Sequence, residues 1–315
     1  MVANAFSGVL TLLLCIGAGV LAVRLGYLDE DAETRLSRLT LHFSVPCLLF
    51  MSCLDHINLP LLEELGFALL LPGLIILLSW VLAAGLGKLF RVKKENFGLY
   101  CVMFSMSNTI FIGLPVCLAI FGERALPLVS AYFPFNTLAF WTLGAAGIAA
   151  DGGHAGRPKA RGRALANIFS PPLAGALTGA ACAIFAVRLP AFVSDALRYM
   201  GNMTVPAALL LAGCTVTRMG RDVLRPGREG ALTVAGRFVA APLISYALCV
   251  AVAAPPLVTQ VFTVESAMPV MSQSMLVARA YSANHKLAAQ MITLTTLLCL
   301  PYVPLLMFLL EKATG

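Results

Sequence analysis

Long apolar runs separated by short polar stretches follow one another along the whole chain. Most reach 18 or more residues, which is enough for a helix to cross the hydrocarbon core of a bilayer. The runs predict ten membrane spans, at residues 4–23, 37–54, 65–87, 97–121, 125–149, 165–187, 196–216, 230–253, 257–281 and 287–310. The pattern therefore predicts an all-α polytopic membrane protein.

The polar stretches are too short to form a sizeable soluble domain. The longest, DGGHAGRPKARGR, covers only residues 151–163. The first run, MVANAFSGVLTLLLCIGAGVLAV, has no basic segment before it and no small-residue cleavage site before the charged residues that follow. We therefore expect it to be kept as the first span rather than removed as a secretory signal.

Composition agrees with a membrane setting. The chain is 59% hydrophobic and 12% charged, whereas soluble domains are about 25% charged. None of its nine cysteines has C-x-x-C spacing, and its four histidines are scattered. The sequence thus predicts no metal site, no disulfide framework and no cofactor, and it offers no nucleophile–base set of the kind that a membrane enzyme would need.

The basic residues alternate strictly between loops. Of the 22 Lys and Arg residues, 17 fall after odd-numbered spans and three after even-numbered ones. Because Lys and Arg concentrate in cytoplasmic loops, this alternation favours ten spans with both termini outside. The net charge of +7 is then explained by topology and requires no nucleic-acid partner.

Ten spans divide into two sets of five, and an odd number makes the second set enter from the opposite face. Val45-Pro46 in the second span corresponds to Val205-Pro206 in the seventh, and IGLPV in the fourth span to SAMPV in the ninth. We expect a first five-helix repeat at 1–150, a basic cytoplasmic loop at 151–164 and an inverted second repeat at 165–315.

The fourth span is interrupted by polar residues and a helix breaker. SNTIFIGLPV, residues 107–116, places Ser, Asn, Thr, Gly and Pro between apolar flanks. Broken helices leave backbone groups unpaired, which a membrane tolerates only where protein or a water-filled cavity covers them. Inverted repeats with matching breaks are typical of secondary transporters that bind substrate near the midplane. The break therefore predicts a binding site.

Three segments carry a resemblance to a known family. SNTIFIGLPV, VPAALLLAGCTV (205–216) and the tail that starts at ESAMPVMSQ (265–273) and ends at LPYVPLL (300–306) resemble the auxin efflux carrier family in its bacterial branch, within the bile acid/auxin-type transporter superfamily. The resemblance covers essentially the whole chain. It implies two inverted five-helix repeats whose broken helices 4 and 9 cross, and carriage of organic anions such as auxins, malonate or malate.

Several residues near the breaks are candidate substrate ligands. Pro115 and Pro269 suit the first turn of a half-helix, whose N-terminus favours a carboxylate. Asn108 and Thr109 would add hydrogen bonds or would merely cap that helix, and Gly113 would allow close backbone approach. Ser272, Gln273 and Ser274 surround the break in the ninth span and could coordinate the substrate or an ion, or bond between helices. Asn136 and Asn202, in other spans, could line the site or bond between helices.

Two charged residues within spans are candidates for coupling or anion contact. Glu265 lies four residues before Pro269; with Ser266 it could carry a proton or bind sodium, or it could be a static partner of Arg237. Arg237 itself is expected to snorkel to the cytoplasmic interface, with contact to a substrate carboxylate as the alternative.

The sequence therefore predicts a secondary transporter for a small organic anion in a bacterial inner membrane, with a homodimer compatible with the fold. A sensor or receptor built on the same fold is the main alternative, because both would bind the anion. A channel would need a continuous polar lining, whereas the polar residues here cluster at two breaks. The direction of transport stays open, and the coupling ion stays open between proton, sodium and none.

Overall fold

The computed structural model describes residues 2–56, 66–153, 170–217 and 226–314. The expected basic loop at 151–164 lies outside these ranges from residue 154 onwards. So does the stretch 218–225, with three of the arginines counted for topology.

The described chain is helical almost throughout. Its α-helices are α1 (Val2–Arg24), α2 (Glu30–Leu39), α3 (Val45–His56), α4 (Leu71–Leu89), α5 (Phe97–Ser105), α6 (Leu114–Phe121), α7 (Leu126–Ala139), α8 (Ala145–Asp151), α9 (Pro171–Ile184), α10 (Ala191–Asn202), α11 (Thr204–Thr217), α12 (Arg228–Ala235), α13 (Ala241–Ala251), α14 (Pro256–Ser266), α15 (Gln273–Ala280) and α16 (His285–Thr314). The predicted all-helical membrane class is confirmed.

Six helical stretches in the described residues are long and apolar enough to cross a membrane by length and composition. They are Glu30–Asp55, Gly66–Leu89, Thr109–Asp151, Ala191–Thr217, Arg228–Ala251 and His285–Ala313, and Leu10–Arg24 and Pro171–Ile184 are shorter apolar helices. The number of stretches differs from the ten predicted spans for two reasons. The interrupted spans divide into short helices, α5 with α6 and α14 with α15, and Thr109–Asp151 runs through two predicted spans. Each predicted span nevertheless overlaps a helix or a pair of helices.

Three π turns lead into a proline at the same spacing. A proline has no N–H to donate, and its ring clashes with the carbonyl of the preceding turn in an ordinary α-helix. A wider π turn moves that carbonyl aside. The turns Thr40–Ser44, Thr109–Gly113 and Gly236–Ala240 end two residues before Pro46, Pro115 and Pro242.

Glycines allow the helices to approach closely. A Cβ added at Gly175 or Gly179 on α9 would lie 2.4 Å from a backbone oxygen of α3, at Pro46 and Phe50. This GxxxG spacing is typical of membrane helix contacts, because no hydrophobic force drives helices together in lipid and close packing replaces it. The outward faces are correspondingly apolar, with exposed residues such as Leu14, Leu77 and Leu243.

Candidate functional site

Both expected interruptions are present, one between α5 and α6 and one between α14 and α15. α5 ends at Ser105 and helical conformation resumes at Thr109. α14 ends at Ser266 and α15 begins at Gln273. We call the intervening residues break 1 (106–108) and break 2 (267–272).

The two prolines occupy different positions relative to the breaks. Pro115 lies in the first turn of α6, seven residues beyond Asn108, and the π turn Thr109–Gly113 precedes it in the same helical stretch. Pro269 lies within break 2, four residues before α15 begins. The expectation that each proline lies in the first turn of its half-helix therefore holds for Pro115 and is wrong for Pro269. Asn108, rather than a proline, caps the helical stretch after break 1.

The two breaks pair directly with each other. Ser107 and Val270 form an isolated antiparallel bridge, and the Asn108 N–H donates to the carbonyl of Pro269 at 2.8 Å. The Asn108 side-chain amide also donates to the Ser272 hydroxyl at 3.0 Å. Residues 161 to 164 positions apart in the chain are thus joined by both backbone and side-chain hydrogen bonds.

Two buried side chains satisfy further backbone groups of the breaks, at Ser107 and Val270. Asn136 on α7 accepts from the Ser107 N–H at 3.2 Å and donates to the Ser107 carbonyl at 2.8 Å. Thr295 on α16 accepts from the Val270 N–H at 3.1 Å. Of the two roles expected for Asn136, a substrate ligand or a bond between helices, its contacts match the second: its amide replaces the backbone partners that Ser107 lost with the helix.

Asn108 has a local role as well. Its side-chain oxygen accepts from the Phe111 N–H at 3.2 Å, as an N-cap does. The expected capping role is therefore confirmed, while the same amide's N–H reaches across to break 2. Thr109, the first residue of the capped helix, is buried.

A cavity of about 230 Å³ opens beside the paired breaks. Four of the predicted ligands line it: Asn108, Thr109, Ser272 and Gln273. The other predicted residues are not in its lining: Gly113, Pro115, Asn136, Arg237, Glu265, Ser266 and Pro269. The side chains that join the two breaks therefore face the cavity, and the charged candidates lie elsewhere.

Further residues of the cavity wall were not predicted from sequence, among them His42, Thr137, Trp141 and Ser170. The hydroxyls of Thr137 and Ser170 are buried and have no hydrogen-bond partner among the described residues. A buried hydroxyl without a partner costs about 1–3 kcal/mol, so such groups call for an explanation, which a bound ligand would supply. For Thr137 the sequence offered one signal, its position directly after the candidate residue Asn136.

Three residues of this wall, His42, Thr109 and Trp141, lie in π turns. The turns are Thr40–Ser44, Thr109–Gly113 and Phe140–Gly144. Such turns are frequent at functional sites because they redirect side chains out of the regular helix register. Among the described lining residues, His42 is the one titratable side chain. Its Nδ1 lies 2.8 Å from the Arg38 carbonyl, to which it donates, and this leaves Nε2 for another partner.

Glu265 is fully buried against Gly113. Its Oε1 accepts from the Cys117 thiol at 3.4 Å, and its Oε2 has no partner among the described residues. A Cβ at Gly113 would lie 2.5 Å from that Oε2. Gly113 thus makes room for a carboxyl group rather than for substrate. The hydroxyl of Ser266 donates to the Thr263 carbonyl at 2.8 Å, within the last turn of α14.

Arg237 does not snorkel, and that expectation is wrong. Its exposed fraction is 0%, and its guanidinium donates to the carbonyls of Phe104, Ser266 and Met268. Among the described residues, it is not in a salt bridge with Glu265. The guanidinium is also absent from the described cavity wall, so it makes no direct contact there.

The fit of Glu265 against Gly113 predicts a coupled pair of substitutions. Gly113→Ala should lower the free energy of unfolding by about 1–3 kcal/mol, because the new methyl group overlaps a buried carboxyl group. In a Glu265→Ala background the same change should cost less than about 0.5 kcal/mol. Denaturant unfolding in detergent measures the cycle. Gly85→Ala, where nothing lies within 4 Å of the added methyl group, is the control; equal costs in both backgrounds would contradict the contact.

Comparison with known proteins places the chain in a family. It matches the family described as "Membrane transport protein" over residues 4–156 and 161–307. The chain belongs to this family of membrane transporters, which includes the auxin efflux carriers that the sequence motifs resemble.

Relatives from archaea and bacteria carry transporter names. The chain is 26% identical to an uncharacterized transporter of Methanocaldococcus jannaschii, over 91% of this chain and 93% of that protein. It is 27% identical to an uncharacterized transporter of Methanothermobacter thermautotrophicus, over 94% and 95%. It is 26% identical to a Rhizobium meliloti protein named "Putative malonate transporter", over 65% and 64%.

Proposed function

We propose that the protein is a secondary transporter that moves a small organic anion by alternating access and binds it in the cavity beside the paired breaks. The observation that carries the proposal is the hydrogen bond between Asn108 and Ser272 at the cavity wall. It joins both broken segments where a ligand would lie, so movement of one segment relative to the other would change the site. Two broken helices that meet at a binding site are typical of secondary transporters.

The pairing around the breaks supports two inverted five-helix repeats with crossing broken helices. Asn136 supports Ser107, and Thr295 supports Val270, the bridge partner of Ser107. Each supporting residue comes from the helix that follows its interrupted segment. The two supports are 159 positions apart, close to the offset that separates Val45-Pro46 from Val205-Pro206.

The cavity favours a small carboxylate over a larger ligand. Its volume of about 230 Å³ is below the roughly 300–1,000 Å³ of drug-sized sites. The helix N-terminus at Thr109 and the unpartnered hydroxyls of Thr137 and Ser170 would each donate to carboxylate oxygens. Phe111, Phe133 and Trp141 supply apolar walls. The malonate-related name of one relative agrees with this class.

Orientation follows from the charge pattern. The cavity reaches Ser170 and the start of α9, and Ser170 is seven positions after the end of the basic sequence 157–163. If basic loops are cytoplasmic, the cavity faces the cytoplasm of a bacterial inner membrane, with both termini on the outer side. Glu265 would carry the coupling ion, with proton and sodium as the alternatives.

Reconstitution into liposomes tests the transport proposal. Tracer uptake and charge movement would be recorded with malonate, malate, short monocarboxylates and an indole acid. Saturable uptake of a carboxylate is the expected result. Binding of the same carboxylate without uptake would favour a sensor on a transporter fold, and neither binding nor uptake by folded protein would contradict the proposal.

Thr137→Val separates a ligand role from a structural one. The change replaces an unpartnered buried hydroxyl with a methyl group of similar size. We expect the free energy of unfolding to rise by about 1 kcal/mol, while the apparent KM for the carboxylate rises about tenfold, since one neutral hydrogen bond is worth about that much.

The control for this change is Thr142→Val, one turn further along the same helical stretch. The Thr142 hydroxyl is exposed and donates to the Leu138 carbonyl at 2.6 Å. We expect it to leave the KM unchanged. Lower stability with an unchanged KM in Thr137→Val would show that the hydroxyl serves the fold instead.

A further inference from the structure

A buried arginine joins the carboxyl ends of both broken helices. Arg237 lies in the π turn Gly236–Ala240, and its Nη1 donates to the Phe104 carbonyl in the last turn of α5 at 3.1 Å. Its Nη2 donates to the carbonyl of Ser266, the last residue of α14, and its Nε to Met268 in break 2 at 3.0 Å. One cation thus binds carbonyl groups from both interrupted segments.

The charge of Arg237 is matched by these carbonyl groups and by no carboxylate at ion-pair distance among the described residues. A helix C-terminus carries a partial negative charge and carbonyl groups without partners. Two such ends converge on the guanidinium, which keeps its charge at any physiological pH. The breaks therefore need a cation at this place, and the chain supplies it.

Secondary transporters commonly use such a place for a coupling ion. Unwound backbone carbonyls and the C-terminal ends of half-helices coordinate Na⁺ near the midplane. A guanidinium and a sodium ion would compete for the same carbonyl oxygens, and the covalently attached guanidinium has no translational entropy to lose.

We propose that Arg237 is a built-in cation that takes the place of a coupling sodium ion at the carboxyl ends of the two broken helices, so that the protein works without sodium. The inference rests on the proposed transport function and removes sodium from its two alternatives. Arg237 also brings a fixed positive charge to the breaks without lining the cavity, so it favours binding of an anion without touching it.

Thermal unfolding tests the proposal without any substrate. The wild-type protein in detergent should have the same Tm in sodium chloride as in choline chloride. Arg237→Ala should unfold about 5 °C or more below wild type, and sodium should recover part of this loss by occupying the vacated carbonyl groups. Arg279→Ala, which removes an exposed arginine, should show neither effect. A sodium-specific rise in the wild-type Tm would overturn the proposal.

Transport provides the second readout. Wild-type uptake in liposomes should be equal within about twofold when choline replaces sodium on both sides; a tenfold or larger loss, more than 1 kcal/mol, would overturn the proposal. If Arg237→Ala does not fold, the proposal is still tested by the wild-type protein, whose Tm and uptake are each compared in sodium and in choline. Absence of uptake in both media would count against the transport function, while the Tm comparison would still decide the role of Arg237.

Discussion

Asn108→Asp should fold normally and lose at least about 100-fold in transport of an organic anion. The carboxylate keeps the acceptor that caps Phe111, and Asp is as good an N-cap as Asn. It loses the donor to Ser272 and places a negative charge at the cavity wall. Two like charges about 4 Å apart at an effective dielectric of about 20 repel by roughly 4 kcal/mol, which corresponds to about three orders of magnitude in affinity.

Ser272→Ala is the matched comparison, because it removes the same hydrogen bond without adding charge. We expect it to reduce transport by about tenfold or less. Initial uptake rates in liposomes, normalised to folded protein, measure both variants. Transport by Asn108→Asp at the level of Ser272→Ala would mean that the anion does not bind beside break 1.

Asn136→Leu should lower the free energy of unfolding by about 2–5 kcal/mol. The side chain donates to and accepts from the backbone of Ser107, and leucine leaves both backbone groups buried without partners. Each such group costs about 1–3 kcal/mol, and the bilayer core offers no water to replace the lost bonds. Denaturant unfolding in detergent measures the change.

Two further variants bracket this result. Asn136→Asp keeps the acceptor for the Ser107 N–H but loses the donor and buries a carboxylate against the Ser107 carbonyl, so a loss at least as large as for Asn136→Leu is expected. Asn202→Leu alters an exposed residue at the end of α10 and should change stability by less than about 0.5 kcal/mol. Comparable losses for Asn136→Leu and Asn202→Leu would contradict the supporting role of Asn136.

The interruptions could be predicted from sequence because polar residues and prolines stand out in apolar spans. Their geometry could not. Proline marks the neighbourhood of a break, but the wide π turn before Pro115 lets the helix continue past it. Break 2 includes Pro269 and break 1 contains no proline at all, so matching the prolines in sequence aligned positions that are not equivalent.

The partners of the breaks lay beyond sequence reasoning for a different reason. Asn136 and Arg237 are single polar residues in separate apolar helices, and periodicity does not say which neighbour each will face. An isolated arginine near a membrane interface is expected to snorkel, because its charged group then stays in water. Here the carbonyl groups of two converging helix ends stabilise the guanidinium in a buried position. Only the tertiary structure shows that these ends converge. Thr137, Trp141 and His42 were not predicted for the same reason. Each reaches the cavity from a helical segment other than those that flank the two breaks.

Substrate binding at the cavity can be measured directly through tryptophan fluorescence. The chain has two tryptophans; Trp141 lines the cavity, and Trp80 on α4 does not belong to its described lining. A Trp80→Phe protein in detergent would be titrated with malonate and related carboxylates. We predict a saturable change in Trp141 emission that Asn108→Asp abolishes, and no change in a Trp141→Phe protein that keeps Trp80. Unchanged Trp141 emission with a carboxylate shown to bind by calorimetry would place the site elsewhere and contradict a substrate cavity beside the paired breaks.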